Sequence, residues 1–90
     1  METIYKYTLK IDDVQKIKIA GFIKTLSVGV QHKKIVVYVL VNLDGLHKTV
    51  ETTERCYYII GTGHSRNFNN LRFIGTVKLM DSQLMFHVFE

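Results

Sequence analysis

Ninety residues with a net charge of +4, 47% hydrophobic and 11% aromatic side chains exclude a disordered chain and predict one small domain over 1–90. A lone cysteine, Cys56, excludes an internal disulfide framework, and the longest apolar run, Ile35 to Val41, is far short of the ~20 residues that span a bilayer. The modest positive charge favours anionic partners, and the missing signal-peptide core in Met1 to Lys6 predicts a reducing cytoplasm.

Period two runs through almost every segment. In Ile4–Ile11, the side chains of Tyr5, Tyr7, Leu9 and Ile11 oppose Lys6, Thr8 and Lys10, and Asp12-Asp13 marks a turn. In Val14–Ile19, Gln15, Ile17 and Ile19 oppose Val14, Lys16 and Lys18, before Ala20-Gly21 breaks the run. Strict alternation in Phe22–Gln31 sets Phe22, Lys24, Leu26, Val28 and Val30 on one face and Ile23, Thr25, Ser27 and Gly29 on the other. His32-Lys33 is expected to be a two-residue hairpin turn. Ile35–Val41 is apolar on both faces, so it reads as a central strand covered by the other sheet and by a neighbouring element or a second subunit. Such a run allows a homo-oligomer.

Asn42 to Thr53 is polar, contains Asp44-Gly45, and reads as a loop or second hairpin. Arg55–Ile60 is another apolar strand, Gly61 to Asn70 lacks periodicity, and Arg72–Leu79 alternates again. Asp81-Ser82 is expected to turn the chain into a last strand, Leu84–Phe89. The sum is an all-β fold of about seven strands, a small antiparallel β-sandwich or barrel-like fold.

Chemistry concentrates in Gly61 to Asn70. Two glycines permit positive φ and close backbone approach, and successive N–H groups there can form an anion-binding nest. Thr62 and Ser65 supply hydroxyls, His64 and Arg66 supply donors suited to phosphate, Asn67, Asn69 and Asn70 can read polar edges of a base or ribose, and Phe68 can stack on a ring. The candidate ligand-binding set is Gly61, Thr62, Gly63, His64, Arg66 and Asn67. The same composition also serves an ordinary turn with no ligand. The spacing fits neither a P-loop nor a dinucleotide fingerprint, since no Gly-Lys-Ser/Thr and no helix follows.

No metal site and no cofactor are expected, because the histidines His32, His47, His64 and His87 lack metal-ligand spacing. His87 reads as a hydrogen-bonded packing residue, His32 and His47 as turn residues, and Cys56 as a small buried hydrophobe. An enzyme is not expected: Asp12 and Asp13 would face opposite ways on a strand, and only a His64–His87 pair could serve a metal-free phosphodiesterase. A nucleic-acid platform is not favoured either, since Tyr5, Tyr7, Tyr38, Tyr57 and Tyr58 fall on apolar faces without interleaved Lys or Arg.

Ile4-Tyr5-Lys6-Tyr7, Gly61-Thr62-Gly63-His64, Phe86-His87-Val88-Phe89-Glu90 and Leu26-Ser27-Val28-Gly29-Val30-Gln31 together resemble a family of small, functionally obscure proteins of phages and prophages. The chain departs from that family in having Ile35-Val36-Val37-Tyr38 where a Trp-containing central strand is expected, and Ala20-Gly21-Phe22 in place of a proline segment. The resemblance implies a non-enzymatic accessory protein in the cytoplasm of an infected or lysogenic bacterium. Its expected role is to sequester a small anionic ligand, a nucleotide-type signal of anti-phage defence. The rivals are an inhibitor of a host protein, a small nucleic-acid-binding β domain, a hydrolase and a virion component.

Overall fold

The computed structural model describes residues 1–44, 50–79 and 83–90. Seven strands form within them: β1 (Glu2–Leu9), β2 (Val14–Ala20), β3 (Phe22–Gln31), β4 (Lys34–Asn42), β5 (Thr52–Gly61), β6 (Phe73–Leu79) and β7 (Leu84–Phe89). They make two antiparallel sheets, ordered β1-β4-β3 and β2-β5-β7-β6. The short dimension of 16 Å accommodates two layers at the usual ~10 Å sheet separation. The expected β-sandwich is the fold. Among the described residues no helix is long and apolar enough to cross a membrane. The expected turns at Asp44-Gly45 and Asp81-Ser82, and His47, lie wholly or partly outside the described residues.

The inner faces meet in one apolar core. Leu9 comes from β1, Ile19 from β2, Ile35, Val37, Val39 and Val41 from β4, Tyr57 and Ile59 from β5, Val77 and Leu79 from β6, and Val88 from β7. The two-faced β4 run has a local explanation. Lys6 on β1 and Gln31 on β3 share the outer face with Val36 and hydrogen-bond to each other across β4. Val36, which pairs with Thr8 and Gly29, is only 1% exposed within the single chain.

The hairpin between β3 and β4 turns on His32-Lys33, both at positive φ (52° and 64°), the backbone of a type I′ turn. The passage from β2 to β3 moves the chain from one sheet to the other through Gly21 alone. Gly21 has φ +67°, donates its N–H to the Glu51 carbonyl at 2.9 Å and accepts from Asn42 N–H at 2.8 Å. A Cβ there would lie 2.1 Å from the Asn42 carbonyl oxygen, so only glycine fits the corner.

The strict alternation expected for β3 is overturned. Register shifts between Phe22 and Lys24 and between Thr25 and Ser27 each insert one residue. Phe22, Thr25, Val28 and Val30 therefore face inward, Leu26 is 40% exposed, and Thr25 is buried. Thr25 then meets a polar knot between the sheets. Its Oγ1 donates to Glu90 Oε1 at 2.9 Å, so the Tyr57 hydroxyl, 2.8 Å away, must donate to Thr25. Arg55 Nη2 reaches Glu90 Oε1 at 3.2 Å, Arg72 Nη2 bonds Oε2, and backbone bonds pair Arg72 with Glu90. The Glu90 side chain is 4% exposed, and burial pushes the Tyr57 phenol above its ordinary 10.0, against the nearby Arg55 and Arg72 charges.

Candidate functional site

Because Tyr57 and Ile59 point into the core, Tyr58 and Ile60 point outward from the four-stranded sheet. The cross-strand register puts Tyr58, Phe89 and Phe73 in one outward row, and Ile60, His87 and Thr76 in the next. The connection from Gly61 to Arg72 leaves the end of β5, crosses this outer face and re-enters at β6. Three of its side chains meet residues of that face. Thr62 Oγ1 lies 2.7 Å from His87 Nε2, Arg66 stacks 4.8 Å from the Tyr58 ring centroid, and Phe68 packs against Phe89 with centroids 5.3 Å apart. Ile60 is consequently only 7% exposed although it faces out of the sandwich.

The connection is built from short local bonds. His64 N–H donates to the Gly61 carbonyl at 3.2 Å, Asn69 N–H to Asn67 Oδ1 at 2.8 Å, and Leu71 N–H to the Phe68 carbonyl at 3.2 Å. Gly63 takes φ +89° with open space at its Cβ position, so backbone conformation alone selects glycine there. Gly61 does not need its freedom, since a Cβ would meet the His64 ring at an ordinary 3.6 Å. Two backbone donors of the expected nest are already engaged within the chain. Thr62 N–H is engaged by the Met85 carbonyl at 3.3 Å, and His64 N–H by Gly61.

What remains is a side-chain cleft of about 310 Å³ lined by Asp13, Ile60, His64, Ser65, Arg66 and Asn67. It therefore gathers His64, Arg66 and Asn67 from the candidate set, while Gly61, Thr62 and Gly63 lie outside its lining. Ser65 completes the four-residue run His64–Asn67. Asp13 arrives from the turn between β1 and β2, where the sequence offers only a turn signal, and that corner is held by two Lys10–Gln15 hydrogen bonds of 2.8 and 2.7 Å. Arg66 commits its Nε to the Asn67 carbonyl at 3.0 Å, and its Nη groups make no hydrogen bond among the described residues.

His87 lies on the outer face rather than in the core, and both its ring nitrogens are engaged, Nε2 by Thr62 and Nδ1 by Thr76 at 2.8 Å. No hydrogen bond joins it to His64. Among the described residues no three His, Cys, Asp or Glu side chains cluster as metal ligands would. Cys56 is half-buried, opposite Lys16.

Over residues 1–90 the chain matches the family described as Domain of unknown function (DUF7352). It belongs to that family. No curated protein and no solved structure matches the chain. The family carries no activity to transfer, so the chemistry of the cleft is the guide to function.

Proposed function

We propose that this protein binds, without transforming it, a small nucleotide-type anion in the cleft between Asp13 and the His64–Asn67 segment. The observation that carries this reading is the pairing of opposite polarities in one cleft. Arg66 offers unspent guanidinium donors, held rigid by its stack on Tyr58, for a phosphate. Asp13, which when ionised can accept but not donate, calls for a ligand with hydroxyl or amino donors. A simple inorganic anion satisfies the first group and is repelled by the second. A phosphorylated sugar or nucleotide satisfies both, with His64, Ser65 and Asn67 as further polar contacts. Binding without turnover is supported by His87, whose two ring nitrogens are bonded to threonines and so are not free to pair with His64 as acid and base. In the phage setting implied by the sequence resemblance, such binding withdraws a defence signal from the cytoplasm of the host.

The test is a thermal-shift screen against mononucleotides, cyclic dinucleotides and ADP-ribose derivatives, with each ligand recovered and analysed after heating. At a hundredfold excess over Kd, binding stabilises by about 2.7 kcal/mol, a rise of roughly 10 °C or more in Tm for a domain of this size. Recovery of the intact ligand, with loss of the shift in His64→Ala and Arg66→Ala, is the expected result. A cleaved ligand would make the protein a hydrolase. The absence of any shift would move the assignment to a host-protein partner.

A further inference from the structure

The row of outward aromatics beside the cleft has no role in the core. Phe73 is 54% exposed and Phe68 44% exposed, and both lean on Phe89, with centroids 5.4 and 5.3 Å away at interplanar angles of 63° and 50°. A single exposed phenylalanine on a small protein is ordinary. Two on a common third ring form a shelf, and this shelf adjoins the cleft. Phe89 is the cross-strand neighbour of Tyr58, the ring on which Arg66 stands. Exposed Lys78 and Thr76 continue the same face along β6, and Asn67 and Asn69 flank Phe68. Aromatics and cations are thus interleaved on one surface, the arrangement that single-stranded nucleic acid binds through base stacking and phosphate contacts. Of the five tyrosines expected on apolar faces, Tyr58 alone stands in this row, beneath Arg66.

We infer that the cleft and the shelf form one surface for a single-stranded oligonucleotide of at least two residues. A phosphate sits at Arg66, a base of a neighbouring residue stacks on Phe73, and Phe68 supplies the adjoining ring. The inference rests on the reading of the cleft as a phosphate-holding site. Geometry sets the minimum length. The cleft, at about 310 Å³, is at the lower limit of small-molecule sites, so further nucleotides must lie outside it. From the Tyr58 column to the Phe73 column is two strand spacings, about 10 Å. That exceeds the distance from one nucleotide's phosphate to its own base. The positive charge of the chain and the polar flanks of the shelf favour a polyanion with flat rings over an apolar protein surface.

The experiment compares fluorescein-labelled tetra-adenylate, by fluorescence anisotropy, with adenosine monophosphate, by calorimetry. The proteins are wild type, Phe73→Ala, Phe68→Ala, Phe73→Tyr and Arg66→Ala, each first checked for an unchanged melting curve. Phe73→Ala and Phe68→Ala are expected to weaken tetra-adenylate binding roughly five- to hundredfold each, the loss of one stacked base. Phe73→Ala, whose ring lies on β6 outside the connection, should leave the monophosphate affinity near wild type. Phe73→Tyr keeps the ring and the affinity, and Arg66→Ala weakens both ligands. If Arg66→Ala weakens both but Phe73→Ala and Phe68→Ala weaken neither, the cleft reading stands and the oligonucleotide inference is overturned. If Arg66→Ala changes nothing, the cleft reading itself falls. A Phe73→Ala variant that alters the oligomeric state in light scattering while tetra-adenylate binds as before would make the shelf a subunit interface and overturn the inference.

Discussion

Two polar clusters in this molecule use their hydrogen-bonding groups in opposite ways. Between the sheets, the Glu90 carboxylate receives Thr25, Arg55 and Arg72, and Tyr57 donates into the same chain of bonds. Nearly every group there is consumed by a neighbour, the shielded Arg55 Nε above the Phe22 ring being the exception. On the outer face, Arg66 has one bonded nitrogen, and His64 and Ser65 line a cleft with Asp13. A cluster that satisfies itself holds a fold together, because breaking it strands buried charge. One with unspent donors in an open cleft is what the proposed ligand requires.

The largest effect that could break this contrast is Glu90→Ala. It leaves two guanidiniums and the Thr25 hydroxyl facing an empty acceptor position. A fully buried pair broken this way loses about 3–5 kcal/mol. Arg72 is 62% exposed and Arg55 35% exposed, so water recovers part of that, and the expected loss is about 2–3 kcal/mol. Denaturant titration measures it directly, and Glu90→Gln, which keeps one acceptor, should lose less. Nucleotide binding by the folded Glu90→Ala protein should match wild type. A variant that melts normally but no longer binds would reverse the roles given to the two clusters.

Much of the fold was legible because alternation is a local property. The seven strands and the His32-Lys33 turn all follow from it, and the structure moves most boundaries by one to three residues. The knot was not legible. Thr25 reaches the interior only because two bulges reset the register of β3 against β4, and a bulge is a relation between strands rather than a feature of either. Glu90 meets Arg55 and Arg72 only after β5, β6 and β7 have paired. The site was half legible for the same reason. The composition of Gly61–Asn70 flags the segment, yet nothing in it separates Thr62, spent on His87, from Arg66, which keeps its Nη groups. Asp13 is 47 residues or more from the other lining residues, so only the folded chain brings it to them.

A smaller effect sharpens the description of the knot. Tyr57→Phe removes one buried hydroxyl and should cost about 1 kcal/mol. The same variant carries a pH signature. Burial raises the Tyr57 phenol pKa in the folded protein above the ordinary 10.0, so folding favours the neutral phenol. That stabilisation is fully present below the unfolded value and is lost as pH rises through the folded one. Wild type should therefore lose more stability than Tyr57→Phe between these two pH values, measured as alkaline melting curves alongside phenolate absorbance. Parallel curves would mean that Tyr57 ionises as freely as an exposed tyrosine and is not locked into the relay to Glu90.

The smallest expected change in stability belongs to Arg66→Ala, and it discriminates most sharply. The side chain is exposed, rests on one face of Tyr58 and bonds one carbonyl of its own loop, so the melting temperature of the variant should stay close to wild type. If Arg66→Ala instead destabilised the protein as severely as Glu90→Ala, the guanidinium would be a fastening of the connection over the sheet. The spare Nη donors would then be an accident of exposure, and the cleft would lose the feature that distinguishes it from an ordinary turn. A stable variant that no longer responds to nucleotides would mean that the connection is fixed by Thr62, Phe68 and the local turns, and that Arg66 is held out from it for a ligand.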